Sequence, residues 1–364
     1  MIISKASLVF IISFVTGMLT LSVAQTDKEF RIVGYYSGPT ALIDSFQTEQ
    51  LTHLIFCFSH LEGNRLRIGS AADSATIKKM VELKHKNKEL KVMLSLGGWG
   101  GCETCSDVFS TATGRNEFAQ SVKAISAYFG TDGIDLDWEY PAIQGYPGHA
   151  FKNADRENFT ALLKVLREVN VSDFQLSFAA GGFTSFIDSS VEWMEVIKYT
   201  DFINIMTYDL VHGYSTVSGH HTSLYSTEKQ VESTDHAVQM LLEAGVPANQ
   251  LVIGAAFYGR YFEIADGNPV DLYMPCRFSH ALSSKDMTDS LSVDRGFEWR
   301  WDDEAQAPYA INVERRLVAT YDDERSIALK TKYAVAYRLG GIMFWQLMDD
   351  KFDHGLLEVM YRNK

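Results

Sequence analysis

Eight short apolar runs, at 31–36, 53–58, 91–95, 133–138, 174–180, 202–208, 251–257 and 341–347, recur along this chain. Several are almost unbroken in apolar residues, as strands are when both faces of their sheet are covered. Helical periods lie between them. Phe118, Val122, Ile125 and Phe129 share one helix face, and Phe159, Leu162, Leu163 and Leu166 share another behind Asp155 as N-cap. Val231, Val238, Leu241 and Leu242 make a third stripe, ended by Gly245 at a C′ position. Such alternation implies a parallel sheet. Eight strands in 364 residues fit a closed (β/α)8 barrel better than an open doubly wound sheet, and no Gly-x-Gly-x-x-Gly follows the first run.

The segment 260–320 interrupts the pattern after the seventh run. It is far longer than an ordinary loop. Tyr261, Phe262, Tyr273, Phe278, Phe297, Trp299, Trp301 and Tyr309 supply enough aromatics for a small core, so a compact inserted subdomain is expected. A seventh βα loop lies on the carboxyl-end face of a barrel, where such an insertion walls a cleft.

At the amino end, Lys5 precedes an apolar stretch at 8–21, and Ser22-Val23-Ala24 reads as a signal-peptidase site, giving a leader at 1–24 and a mature chain at 25–364. An uncleaved anchor is the alternative. Cleavage implies a secreted protein, extracellular or periplasmic, with no membrane attachment afterwards; a monomer is expected. The net charge of −13 disfavours nucleic acid or an anionic membrane as partner. Of four cysteines, Cys102 and Cys105 read as a loop disulfide or two inert thiols, Cys57 as a buried thiol, and Cys276 carries no assignment. Asn158 and Asn170 fit the N-glycosylation pattern, which matters only in a host that glycosylates.

The segment Asp132-Gly-Ile-Asp-Leu-Asp-Trp-Glu-Tyr-Pro141 carries the chemistry. In a strand, Asp135, Asp137 and Glu139 share the inward face while Ile134, Leu136 and Trp138 face outward. Carboxyls spaced by two residues lie roughly 6–7 Å apart, so in a low dielectric they do not all ionise. Glu139, nearest the mouth, is the candidate general acid. A solvated edge strand or a divalent-metal site are the alternatives. No histidine converges on the row, and neither metal nor cofactor is expected. Other strand ends add Ser95-Leu-Gly-Gly-Trp99, Met206-Thr-Tyr208-Asp209, Phe257-Tyr258-Gly-Arg260 and Phe344-Trp345-Gln346. Aromatics gathered around an acid suit a cleft for a sugar.

DGIDLDWEYP, SLGGW, MTYD and FYGR resemble, in the same order, the signatures of family 18 chitinases. The resemblance covers nearly the whole mature chain, and all four acids of its Asp-x-x-Asp-x-Asp-x-Glu pattern are present. It implies a TIM barrel with a small α+β insertion after strand seven, and hydrolysis of β-1,4 bonds in chitin or N-acetylglucosamine oligomers. By matching position, Glu139 is the proton donor, and Asp137 holds the substrate's acetamido N–H. Asp135 shares a proton with Asp137, supported by Tyr35 and Ser95. Tyr208 bonds the acetamido carbonyl, with Met206 and Asp209 beside it. Trp345 forms the floor under the sugar, Trp99 binds on the leaving-group side, and Tyr258 and Arg260 contact sugar and carboxylates. The family is a substrate-assisted exception among glycosidases, with the acetamido oxygen as nucleophile. The Cys102/Cys105 pair is not part of its pattern. A non-catalytic chitin-binding lectin and an endo-β-N-acetylglucosaminidase acting on N-glycans are the other readings.

Overall fold

The computed structural model describes residues 30–170 and 172–364, so the expected leader lies outside the described residues. In chain order the first strands are β1 (Arg31–Tyr36), β2 (His53–Glu62), the short return strand β3 (Arg65–Arg67), β4 (Lys91–Gly97), β5 (Gly133–Asp137), β6 (Gln175–Gly181), β7 (Phe202–Met206) and β8 (Leu251–Ala256). A second sheet follows, made of β9 (Tyr258–Ile264), β10 (Cys276–Ser283), β11 (Glu298–Asp302), β12 (Ala307–Asn312) and β13 (Leu317–Thr320). The chain then returns through β14 (Gly341–Trp345). Parallel pairing runs β1-β14-β8-β7-β6-β5-β4-β2, and β2 pairs back to β1, which closes an eight-stranded barrel.

The period of two divides each strand between the two sides of the barrel wall. Ile134, Leu136 and Trp138 face outward and pack with helix residues such as Phe118, Phe159 and Leu162. Val33, Ile55, Met93, Phe202, Val252 and Met343 pack together inside the barrel. Two residues further along their strands come Tyr35, Cys57, Ser95, Asn204, Gly254 and Trp345. The bottom of the barrel is therefore an apolar plug, and polar groups begin one layer higher.

The helix Ala112–Phe129 starts where Thr111 accepts from the Gly114 N–H and stops at Gly130, whose φ is 77°. Two sequence expectations need correction. Asp155 is the first helical residue of Asp155–Val169, not its N-cap. Its buried carboxylate accepts from Ser106 Oγ at 2.9 Å and the Lys152 N–H at 2.7 Å, so it fastens the preceding loop. Val231 is exposed and precedes the helix Thr234–Glu243, which Ser233 caps instead. Gly245 does stand just past that helix, at φ 89°.

The second sheet is antiparallel, ordered β10-β9-β13-β12-β11. Tyr261, Met287, Leu291, Phe297 and Leu317 form one small core; Ile264, Leu272, Ile311 and Val318 form another. β9 begins two residues before the expected boundary at 260, because β8 runs almost directly into it. The sheet's exit is stitched to the barrel by a buried pair. Lys330 Nζ lies 2.7 Å from Asp322 Oδ2, and that oxygen also accepts the Ala256 N–H of β8 at 3.0 Å. Removing either partner would leave a buried charge uncompensated.

Candidate active site

The carboxylate row sits where β5 reaches the mouth of the barrel. Register puts Ser95 of β4 and Ser177 of β6 directly beside Asp135. Asp135 Oδ2 accepts from Tyr35 Oη at 3.1 Å and Ser95 Oγ at 3.0 Å. Its Oδ1 accepts from Ser177 Oγ at 2.6 Å and Asn204 Nδ2 at 3.2 Å. Burial raises the Asp135 pKa, and these four donors work against the rise.

Asp137, one step nearer the mouth, is also buried, yet among the described residues no N–H or hydroxyl reaches its Oδ1. Burial first, then the charges of Glu139 and Asp135, push its pKa well above the ordinary carboxylate range. Asp135 is thus held by four donors, whereas burial and its neighbours' charges press on Asp137. Glu139 lies two residues beyond the end of β5 and is half-buried. Burial, with the charge of Asp209 adding to it, lifts its pKa to about 7. A carboxyl of that kind holds its proton near neutrality and gives it up to a leaving group.

The glycines of SLGGW allow the chain to turn tightly over this row. A Cβ on Gly97, at φ 111°, would stand 2.2 Å from the Asp137 carbonyl oxygen. On Gly98, at φ 78°, it would strike the Phe58 ring at 2.4 Å. Phe58 in turn stacks on Trp345 at 5.5 Å and 16°, while Tyr35 leans on Trp345 from another side at 5.8 Å. Trp345 thus spreads its ring across the barrel mouth. Trp99 is 48% exposed and meets Tyr146 at 5.5 Å, with Tyr140 and Tyr214 at 6.5 and 6.4 Å. These four rings form the aromatic rim of the cleft.

Tyr208 and Met206 project from the end of β7 and are buried, with Tyr208 Oη 3.7 Å from Met343 Sδ. Asp209 follows them. Its carboxylate takes both arms of Arg260, with Nη2 at 2.6 Å from Oδ2, and the Tyr258 hydroxyl at 2.7 Å. Burial alone would raise the Asp209 pKa, but His221 and Arg260 outweigh it and hold the group below the ordinary range. Every site residue expected from sequence therefore lies at or around one mouth, split between Asp135, Asp137 and Glu139 within and Trp99 at its rim.

Ser177 and Asn204 were missed in the sequence reading, although a signal existed. Each is a polar residue at an inward position of an otherwise apolar strand segment, Leu176-Ser-Phe-Ala-Ala180 and Phe202-Ile-Asn-Ile-Met206. Cys102 and Cys105 are joined as a disulfide, and Cys57 is a buried free thiol. A separate cavity of about 360 Å³ lies between Met287, Leu291, Trp299 and Leu356. None of the residues lining it carries an unpartnered buried polar atom, so the barrel mouth at Asp137 and Glu139, where Asp137 Oδ1 lacks a partner, is the better candidate.

The sequence model for glycosyl hydrolases family 18 matches residues 31–350. Chitinase A1 of Niallia circulans is 31% identical over 302 residues, covering 76% of this chain and 43% of that protein. The chain therefore spans less than half the length of that relative. Chitotriosidase-1 of Mus musculus is 28% identical over 367 residues, covering 92% of this chain and 76% of the mouse protein. Among solved structures, a family 18 N-acetylglucosaminidase from Paenibacillus barengoltzii superposes with a TM-score of 0.83 at 33% identity, covering 92% of this chain and all of that one.

Proposed function

We propose, from the premise that this chain belongs to glycosyl hydrolase family 18, that it is a secreted chitinase. It would cleave β-1,4 bonds between N-acetylglucosamine units by a retaining, substrate-assisted route. Its relatives include named chitinases. The observation that carries the reading is the pairing of a protonated acid, Glu139 with its pKa near 7, with the unpartnered Asp137 Oδ1 beside it. Export is supported by the Cys102–Cys105 disulfide, since disulfides persist in oxidising compartments.

In this reading the sugar ring lies on Trp345. Glu139 gives its proton to the glycosidic oxygen as the bond from that oxygen to the anomeric carbon breaks. The acetamido oxygen of the same sugar attacks the anomeric carbon and closes an oxazolinium ring. Asp137 Oδ1 accepts the acetamido N–H, and Tyr208, whose hydroxyl lies 3.7 Å from the Met343 sulfur, donates to the acetamido oxygen. Holding nucleophile and carbon together turns the attack into an intramolecular step. Water then adds to the anomeric carbon, Glu139 takes back a proton, and two displacements leave the β-configuration.

The test is the fate of the acetamido group. Fully deacetylated oligomers are expected to remain uncut. Partly acetylated chains should yield new reducing ends that are all N-acetylglucosamine, appearing first as the β-anomer in proton NMR. An α-anomer appearing first, or glucosamine at the new ends, would overturn the mechanism.

A further inference from the structure

His221 has no part in the chemistry above, yet it is built against Asp209. It lies in the loop between β7 and the helix Thr234–Glu243 and is fully buried. Among the described residues neither ring nitrogen has a hydrogen-bond partner. Buried polar atoms are seldom left that way without a reason. The Nδ1 atom stands 3.6 Å from Asp209 Oδ1, just outside hydrogen-bond range, and the ring tilts against Tyr258 at 5.2 Å. The backbone is tied at the same point. The N–H of Leu210, next to Asp209, donates to the His221 carbonyl at 3.1 Å, and the His221 N–H donates to Thr320 Oγ1 at 3.4 Å. Asp209 itself has a φ of 55°, a left-handed conformation that a non-glycine residue keeps only when its surroundings hold it.

We infer that His221 is a positioning residue: through its imidazole and its carbonyl it fixes the Asp209 carboxylate against Tyr258 and Arg260, and through Asp209 it governs how far up the pH scale Glu139 stays protonated. The inference rests on the reading of Glu139 as the acid. The groups facing His221 are Asp209, Tyr258 and Arg260, with Asp322 further behind and paired to Lys330. Burial lowers the His221 pKa, so the ring is neutral at neutral pH and carries one N–H. That N–H belongs on Nδ1, where Asp209 gives it an acceptor after a small closure of the 3.6 Å gap. The titratable groups facing Glu139 are Tyr140, whose hydrogen bond works against burial, Asp137, and Asp209, whose charge adds to burial in raising the Glu139 pKa. Asp209 is already held by both arms of Arg260, so without the His221 donor its charge stands less neutralised where it is, and Glu139 keeps its proton to higher pH.

The readout is the basic limb of the kcat/KM profile on a fluorogenic N-acetylglucosamine oligomer. His221→Met, which has no donor, should move that limb up by about half a unit or more, while His221→Gln, which keeps an N–H, should leave it within about 0.2 units. On an Asp209→Asn background His221→Met should add no further shift, since the route through Asp209 is gone. A His221→Met limb that overlays the wild type, or one that moves equally without Asp209, would overturn the inference. The wild type offers an independent check: ¹⁵N NMR of the imidazole should find the Nδ1–H tautomer, and the Nε2–H tautomer would refute it. Should the wild type cleave no oligomer, the proposed activity fails, but ¹³C titration of the Glu139 carboxyl still reads the same shift without turnover.

Discussion

The barrel and the inserted sheet use the same acidic side chains to opposite ends. In the barrel, Asp135 and Asp137 have almost no contact with water, and burial drives their pKa values up. In the inserted sheet, Glu263 pairs with Arg277 at 2.6 Å and Glu298 with Arg300 at 2.9 Å, all near the surface. Hydrogen bonding to Arg300 pulls the Glu298 pKa down. A carboxylate in water beside a guanidinium is a solvated ion and contributes little. Stripped of water between other carboxyls, it becomes an acid able to transfer a proton. The difference supports placing the proposed reaction in the barrel and not in the insertion.

The largest expected effect tests the barrel side. Glu139→Gln should lower turnover on chitin oligomers by about 10²–10⁴-fold while oligomer binding persists. In the proposed role Glu139 acts in its protonated form, so wild-type kcat should decline as pH rises through about 7. Steady-state kinetics across pH reads both. Loss within about tenfold, or activity that climbs across that range, would remove Glu139 from the role.

The same contrast explains what could be read from sequence. All eight barrel strands were legible because each is covered on both faces and so reads as an apolar run; β5, β7 and β8 are buried at every position. The acidic row was legible because three carboxyls on one face of such a strand have no structural excuse. The strands of the inserted sheet were not individually legible. β10 and β11 mix exposed and half-buried residues with no steady alternation, and only the richness in aromatics marked a core. His221 was beyond reach for another reason: its contact with Asp209 spans a long loop, which no local period encodes.

A middle-sized effect tests the floor between the two regions. Trp345→Ala on the Glu139→Gln background should weaken binding of an N-acetylglucosamine oligomer by about tenfold, because the exposed part of its ring is the natural platform for a sugar face. Titration calorimetry measures this without turnover. Trp345 is also wedged between Phe58 and Tyr35, so unchanged affinity would mean that its ring serves packing alone.

The smallest effect tests the insertion. Phe278 on β10 is half-buried, and the Arg260 guanidinium lies 5.4 Å from its ring centroid. Arg260 therefore has three supports, the Asp209 carboxylate from the barrel side, the Phe278 face from the insertion and the Tyr258 ring at 5.7 Å. The carboxylate is the strongest, being charged and bidentate. A cation over an exposed aromatic face contributes about 0.5–1 kcal/mol, so Phe278→Ala should raise KM by about two- to fivefold and leave kcat within about twofold. The basic limb of the pH profile should not move, since Asp209 and Glu139 keep their partners. A kcat loss approaching that of Glu139→Gln would break the comparison, because the inserted sheet would then hold part of the chemistry through Arg260. A KM effect alone would leave the insertion as a wall whose aromatic face steadies one arginine at the edge of a reaction carried out by the barrel.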